Sequence, residues 1–122
     1  MGQIFNKLTE LGIDENTMVI FTSDNGPWFE GSSGQFRNRK GTSWEGGLRV
    51  PFIARWPSEI AANQQTSVAA MNIDIFPTIL DFAGVSVPRE VTLDGKSLRG
   101  VLTNNEDSAH EFLYLFNNDR IA

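Results

Sequence analysis

The chain has 122 residues, a length that suits one domain, and 40% of them are apolar, enough for a modest core. With 10 basic against 15 acidic side chains the formal net charge is −5, which argues against a nucleic-acid partner. The uncharged apolar runs Met18–Phe21 and Val68–Met71 are far too short to span a bilayer, and the absence of cysteine removes disulfides, thiolate metal sites and a thiol nucleophile. Composition leaves the compartment open.

Ile4, Phe5, Leu8 and Leu11 fall on one face of a helix, and Gly12 stands where a helix commonly stops. After the polar turn Asp14-Glu15-Asn16, residues 17–22 (Thr-Met-Val-Ile-Phe-Thr) form a continuous apolar run rich in β-branched side chains. This pattern predicts a strand buried on both faces of a parallel sheet. From Ser23 to Gly47 six glycines and Pro27 break every periodicity, so a long loop is expected there. It also carries Trp28, Phe29, Phe36 and Trp44, read as packing the loop onto the sheet, with lining of a substrate pocket as the alternative. A second strand is expected over 50–56, with Pro51 near its start. The segment 74–84 predicts a helix capped by Asp74, tolerating Pro77 in its first turn and closed by Gly84, with Ile75, Phe76, Ile79, Leu80 and Phe82 on its buried side. Beyond it Pro88 and Gly95 break the chain, residues 103–108 form a polar connector, and 112–116 predicts a last strand. That strand stands at the end of the chain with no element to cover it, an arrangement that suggests truncation.

Two local patterns can carry chemistry. Asp24 and Asn25 directly follow the first strand, where ligands of parallel α/β sheets bind, and their carboxylate and amide oxygens suit a hard divalent cation. Two residues fall short of a complete shell, and Asp-Asn-Gly is equally a simple turn. The second pattern is residues 40–51, Lys-Gly-Thr-Ser-Trp-Glu-Gly-Gly-Leu-Arg-Val-Pro. Lys40 beside glycines can bring a compact positive charge close to a sulfate or phosphate oxygen, or it can be one solvated member of the cluster Arg37, Arg39, Lys40. Glu45 and Arg49 suit a loop-ordering ion pair or ligand contact. His110 has no nucleophile beside it and reads as a structural or surface histidine.

Four segments in register resemble the type I, formylglycine-dependent sulfatases of the alkaline phosphatase superfamily. They are residues 17–27, 40–53, 74–84 and 93–98, ending in Leu-Asp-Gly-Lys-Ser-Leu, and order and spacing agree from about residue 3 to about residue 116. The resemblance implies an α/β, partial alkaline-phosphatase-like fold: a mainly parallel sheet flanked by helices. Residues 1–100 would be the carboxyl-side part of the catalytic domain and 101–122 the start of a C-terminal subdomain. It also implies hydrolysis of sulfate esters, one calcium held in part by Asp24 and Asn25, and Lys40 on the sulfate group. Similar enzymes make their formylglycine nucleophile in a Cys/Ser-x-Pro/Ala-x-Arg motif, and their other metal ligands, nucleophile-side arginine and catalytic histidines precede the region resembled here. This sequence has no cysteine and no Ser-x-Pro/Ala-x-Arg, and His110 comes too late to match those histidines. The expectation is therefore a carboxyl-side piece with negligible turnover and weak calcium affinity alone, prone to self-associate through an exposed sheet edge. Alternatives are a phosphonate or phosphate ester hydrolase of the same superfamily, or a non-catalytic calcium-binding or interaction module.

Overall fold

A computed structural model describes residues 1–117 and 120–121. Helix α1 spans Gly2–Glu10 and ends where Gly12, at φ 68°, turns the chain left-handed and donates its N–H to the Thr9 carbonyl at 3.0 Å. A 3₁₀ turn, Asp14–Asn16, leads to strand β1, Val19–Thr22. Helix α2, Glu45–Leu48, is a single turn inside the expected loop, and strand β2, Phe52–Arg55, pairs with β1 in a two-stranded sheet. The 3₁₀ turn Asn72–Asp74 opens helix α3, Ile75–Phe82, which Gly84 closes at φ 66°. Helix α4 spans Arg99–Asn104 and stops at Asn105, a left-handed residue at φ 54°. Strands β3, Phe116–Asn117, and β4, Arg120–Ile121, pair antiparallel, Phe116 opposite Ile121 and Asn117 opposite Arg120. No helix of the described residues is long and apolar enough to cross a membrane.

The chain divides into two compact units: Met1–Val19 with Ala54–Glu111, and Ile20–Ile53 with Phe112–Ala122. In the first unit the centre is partly polar. Leu98 and Val101 are buried apolar side chains, while Asp74 and Thr78 are closed off from solvent at 0% and 1% exposure. The Thr78 hydroxyl donates to the Asp74 carbonyl at 2.6 Å and accepts the Leu98 N–H at 2.8 Å, tying the start of α3 to the entry of α4. Arg55 holds Asp14 through two hydrogen bonds, 2.6 and 2.8 Å, with its guanidinium over the Phe5 ring at 4.7 Å. The hydrogen bond from Arg55 holds the Asp14 carboxyl below the usual carboxylate range, and the same bond raises Arg55. Trp56 packs on Phe82, ring centroids 5.3 Å apart, and donates its indole N–H to the Glu15 carbonyl at 2.8 Å.

Four expectations need correction. The β1 run is half-buried with Phe21 44% exposed, and among the described residues its sheet has one other strand. On α3 the buried residue is Thr78, whereas Phe76 and Ile79 are exposed, because the 3₁₀ turn and the α4 segment meet the helix through hydrogen bonds on its polar side. Asp74 stands at the start of α3 but makes no capping bond to it; its carboxylate turns back to the Met71 N–H at 2.7 Å. Residues 112–115 are not strand, and pairing begins only at Phe116.

Candidate functional site

The second unit carries both chemistry-bearing patterns. After β1 the chain bends through Asp24, Asn25 and Gly26. The Ser23 hydroxyl donates to the Asn25 carbonyl at 3.1 Å, and the Asn25 amide N–H donates to the Asp24 carboxylate through a short contact. That contact turns the amide nitrogen toward Asp24. Asp24 is exposed and Asn25 half-buried.

Bare backbone brings the second pattern against the first. The Gly26 N–H donates to the Gly47 carbonyl at 2.9 Å, and the Gly46 N–H donates to the Arg37 carbonyl at 2.9 Å. A Cβ on Gly26 would fall on the Gly46 carbonyl oxygen, and one on Gly46 would fall on the Asn38 carbonyl oxygen, so only glycine permits these approaches. The Lys40 N–H donates to the Pro27 carbonyl at 3.1 Å, which sets Lys40 beside the residue two positions after Asn25. Its side chain is exposed.

Arg39 organises the intervening loop, a role that no sequence pattern signals. One guanidinium nitrogen, Nη1, donates to the carbonyls of Trp28, Phe29 and Gly31 at 3.0, 2.6 and 2.8 Å. The Arg39 carbonyl in turn accepts the Thr42 hydroxyl at 2.8 Å. Arg37 lies over the Trp44 ring at 3.7 Å, and Arg49 pairs with Glu45, as expected, while lying 5.6 Å from the Phe36 ring centre. The four loop aromatics are exposed among the described residues, and Arg39 and the glycine contacts hold the loop.

As metal donors, Asp24 and Asn25 supply a carboxylate and an amide oxygen, the hard donors that calcium and magnesium take. They fit as part of a shell. Among the described residues no group of three or more His, Cys, Asp or Glu side chains stands together to complete one.

His110 lies in the first unit and is structural. Its Nε2–H donates to the buried Asp74 carboxylate at 2.7 Å, and that carboxylate also accepts the backbone N–H groups of Met71 and Lys96 at 2.7 and 2.8 Å. The histidine side chain is nearly closed from solvent at 9% exposure. The Ser108 hydroxyl accepts the His110 N–H and donates to the Ala69 carbonyl, fastening the same segment a second time.

The Sulfatase family model matches residues 1–85. The chain belongs to the sulfatase family. Human steryl-sulfatase is 40% identical over 129 residues, a match that covers 97% of this chain and 22% of that protein. The rat N-acetylgalactosamine-6-sulfatase is 43% identical over 104 residues, covering 80% of this chain and 20% of its own length. The chain thus spans about a fifth of the curated sulfatases it matches. Among solved structures, a protein of a Bacteroides thetaiotaomicron glycosaminoglycan-metabolism locus aligns with a TM-score of 0.81 at 30% identity, over 98% of this chain and 28% of its own. A structure solved with its substrate, D-glucosamine-2-N,6-O-disulfate, aligns with a TM-score of 0.71 at 34% identity, over 98% of this chain and 24% of its own. The α/β, alkaline-phosphatase-like sulfatase fold expected from the sequence is therefore the fold of this chain, present as a small part with a two-stranded β1-β2 sheet.

Proposed function

We propose that this chain is the carboxyl-side part of a sulfuric ester hydrolase, in which Asp24 and Asn25 hold a divalent cation, calcium by family resemblance, and Lys40 binds the sulfate group. The observation that carries the reading is the glycine-lined contact that seats the Asp24-Asn25 turn against the Gly46-Gly47 turn, with Lys40 bonded through its backbone to Pro27. The family match over residues 1–85 contains all three residues. A bound cation supplies charge neutralisation for the oxygens of a transferring sulfuryl group. Lys40 offers a compact ammonium on a flexible stem, able to follow a sulfate oxygen as its charge changes during S–O cleavage. The chain contains neither a cysteine nor a Ser-x-Pro/Ala-x-Arg motif to form a formylglycine, so it does not run the covalent route by itself.

The test uses the full-length protein that contains this sequence, assayed for sulfate release from 4-nitrocatechol sulfate beside the 122-residue chain alone. Turnover is expected from the first and none from the second. Lys40→Ala is expected to lower kcat roughly 10²- to 10³-fold, the scale seen when one charge-stabilising group is removed from an active site. Asp24→Ala is expected to abolish bound metal by elemental analysis. A Lys40→Ala rate within twofold of the unaltered protein, or unchanged metal content in Asp24→Ala, refutes the respective role.

A further inference from the structure

Asn25 is the one asparagine of the chain that is followed by glycine. In an open chain this dipeptide is poorly protected against deamidation, because a residue without a Cβ lets its backbone nitrogen reach the preceding side-chain carbonyl unhindered. Main-chain packing nevertheless demands glycine there: a Cβ on residue 26 would fall on the Gly46 carbonyl oxygen and crowd the Gly47 backbone. The fold thus requires at position 26 the residue that leaves Asn25 chemically weakest.

The same packing holds the reacting peptide still. The Gly26 N–H donates to the Gly47 carbonyl at 2.9 Å, and at the other end of that peptide unit the Asn25 carbonyl accepts the Ser23 hydroxyl at 3.1 Å. Gly26 is buried. Cyclisation needs a deprotonated Gly26 nitrogen turned onto Asn25 Cγ, and here the proton is engaged and the peptide plane is pinned at both ends. The amide nitrogen that would leave is itself bonded to the Asp24 carboxylate. All of these restraints lie within the compact unit that contains Ile20–Ile53.

We infer that Asn25 is a deamidation site guarded by the backbone contact between Gly26 and Gly47, and that opening of this contact converts the residue irreversibly. In the open form the Gly26 nitrogen loses its proton to a solvent base and attacks Asn25 Cγ. The N–Cγ bond forms, the Cγ–Nδ2 bond breaks, and the amide nitrogen takes a proton from water and leaves as ammonia. Water then opens the cyclic imide, at Cγ to give aspartate or at the main-chain carbonyl to give isoaspartate. Water is consumed and ammonia released, with no change of oxidation state. Either product sets a carboxylate in place of the neutral amide beside Asp24, and isoaspartate also lengthens the main chain through the turn. Resting on the cation reading above, isoaspartate formation removes the Asn25 amide oxygen from the proposed metal pair.

The test incubates the full-length protein in mildly alkaline oxygen-18 water beside a synthetic peptide of residues 20–31. Peptide mapping by mass spectrometry measures labelled aspartate and isoaspartate at position 25. Since reaction passes through the open form, the folded protein is expected to react at least roughly tenfold more slowly than the peptide. Gly46→Ala forces the contact apart and leaves Asn25-Gly26 intact, so it is expected to react roughly tenfold faster than the unaltered protein. Equal rates in protein and peptide overturn the inference, as does an unchanged rate in Gly46→Ala. If Gly46→Ala does not fold, Ser23→Ala decides, because it releases only the Asn25 carbonyl: a faster rate supports the guarding role and an unchanged one overturns it. Elemental analysis of the isoaspartyl fraction is expected to show lost metal. Full metal content there refutes Asn25 as a cation ligand, while the labelling rates still decide whether the contact guards the residue.

Discussion

Removing the buried carboxylate of Asp74 is expected to destabilise the first unit strongly without unfolding it outright. In Asp74→Ala three donors lose their acceptor at once: the N–H groups of Met71 and Lys96 and the Nε2–H of His110, at 2.7, 2.8 and 2.7 Å. An unsatisfied buried donor costs about 1–3 kcal/mol. Asp74 is fully buried, but Met71 is half-buried and Lys96 exposed, so water can rescue part of the backbone loss. His110, with 9% of its side chain exposed, has less recourse. The sum is about 3–5 kcal/mol, also the range for breaking a buried polar pair by removing one partner. For a domain of this size that corresponds to a drop of roughly 10–20 °C in Tm. Asp74→Asn keeps the shape and one carbonyl oxygen and should lose about half as much. Urea unfolding followed by far-ultraviolet circular dichroism gives the magnitude, and hydrogen exchange at the Lys96 amide locates it. A cycle with His110→Gln isolates the coupling, expected to exceed 1 kcal/mol because the two side chains touch. A loss below about 1 kcal/mol in Asp74→Ala, with the Lys96 amide still protected, refutes the assignment of Asp74 as the anchor.

Thr78→Val removes both the donor to the Asp74 carbonyl and the acceptor of the Leu98 N–H, so urea melts should show a loss of about 1–3 kcal/mol that Thr78→Ser largely restores. Gly46→Ala places a methyl on the Asn38 carbonyl and should destabilise the loop by about 1–3 kcal/mol, read as faster protease cutting between residues 26 and 47. Gly2→Ala, with open space around its Cβ position, should be neutral within about 0.5 kcal/mol. Acid tests the Asp14–Arg55 pair. Because the folded-state Asp14 carboxyl is held below its ordinary value, its stabilisation is complete above about pH 4 and is lost as the pH falls through the lowered value. Asp14→Asn should therefore flatten the decline in stability on acidification below about pH 4, and an unchanged acid profile rules the pair out as its cause.

Several elements were legible from sequence: α1 by its helical apolar spacing, α3 by its spacing and bounding residues, β1 by its β-branched run and β2 by the prolines near its ends. Helix α4 was not, because Gly100, Thr103 and Asn104 are poor helix formers. The helix instead rests on burial of Val101 and on a hydrogen bond from the Thr103 hydroxyl to the Arg99 carbonyl. The single turn α2 was hidden by its two glycines, which serve close approach rather than helix formation. Asp24, Asn25 and Lys40 could be picked out as candidates because their residue types and neighbours are distinctive. The contact between their two segments could not, since it runs from backbone to backbone and leaves no side-chain pattern. His110 was readable as structural, but its partner Asp74 was not: they stand 36 positions apart, and Asp74 sits where a helix cap is equally plausible.

The glycine contact between Gly26 and Gly46-Gly47 also bears on how such a site can diversify. Because the gap between the two turns is closed by main-chain atoms alone, it works as a ruler whose length no neighbouring side chain sets. Trp28, Phe29, Arg37 and Trp44 stand at exposed positions around that frame, so exchanging them leaves the backbone spacing between the turns unchanged. A library that randomises those four positions and keeps the three glycines should therefore consist chiefly of variants that retain the fold, whereas one that randomises the glycines should yield chiefly misfolded protein.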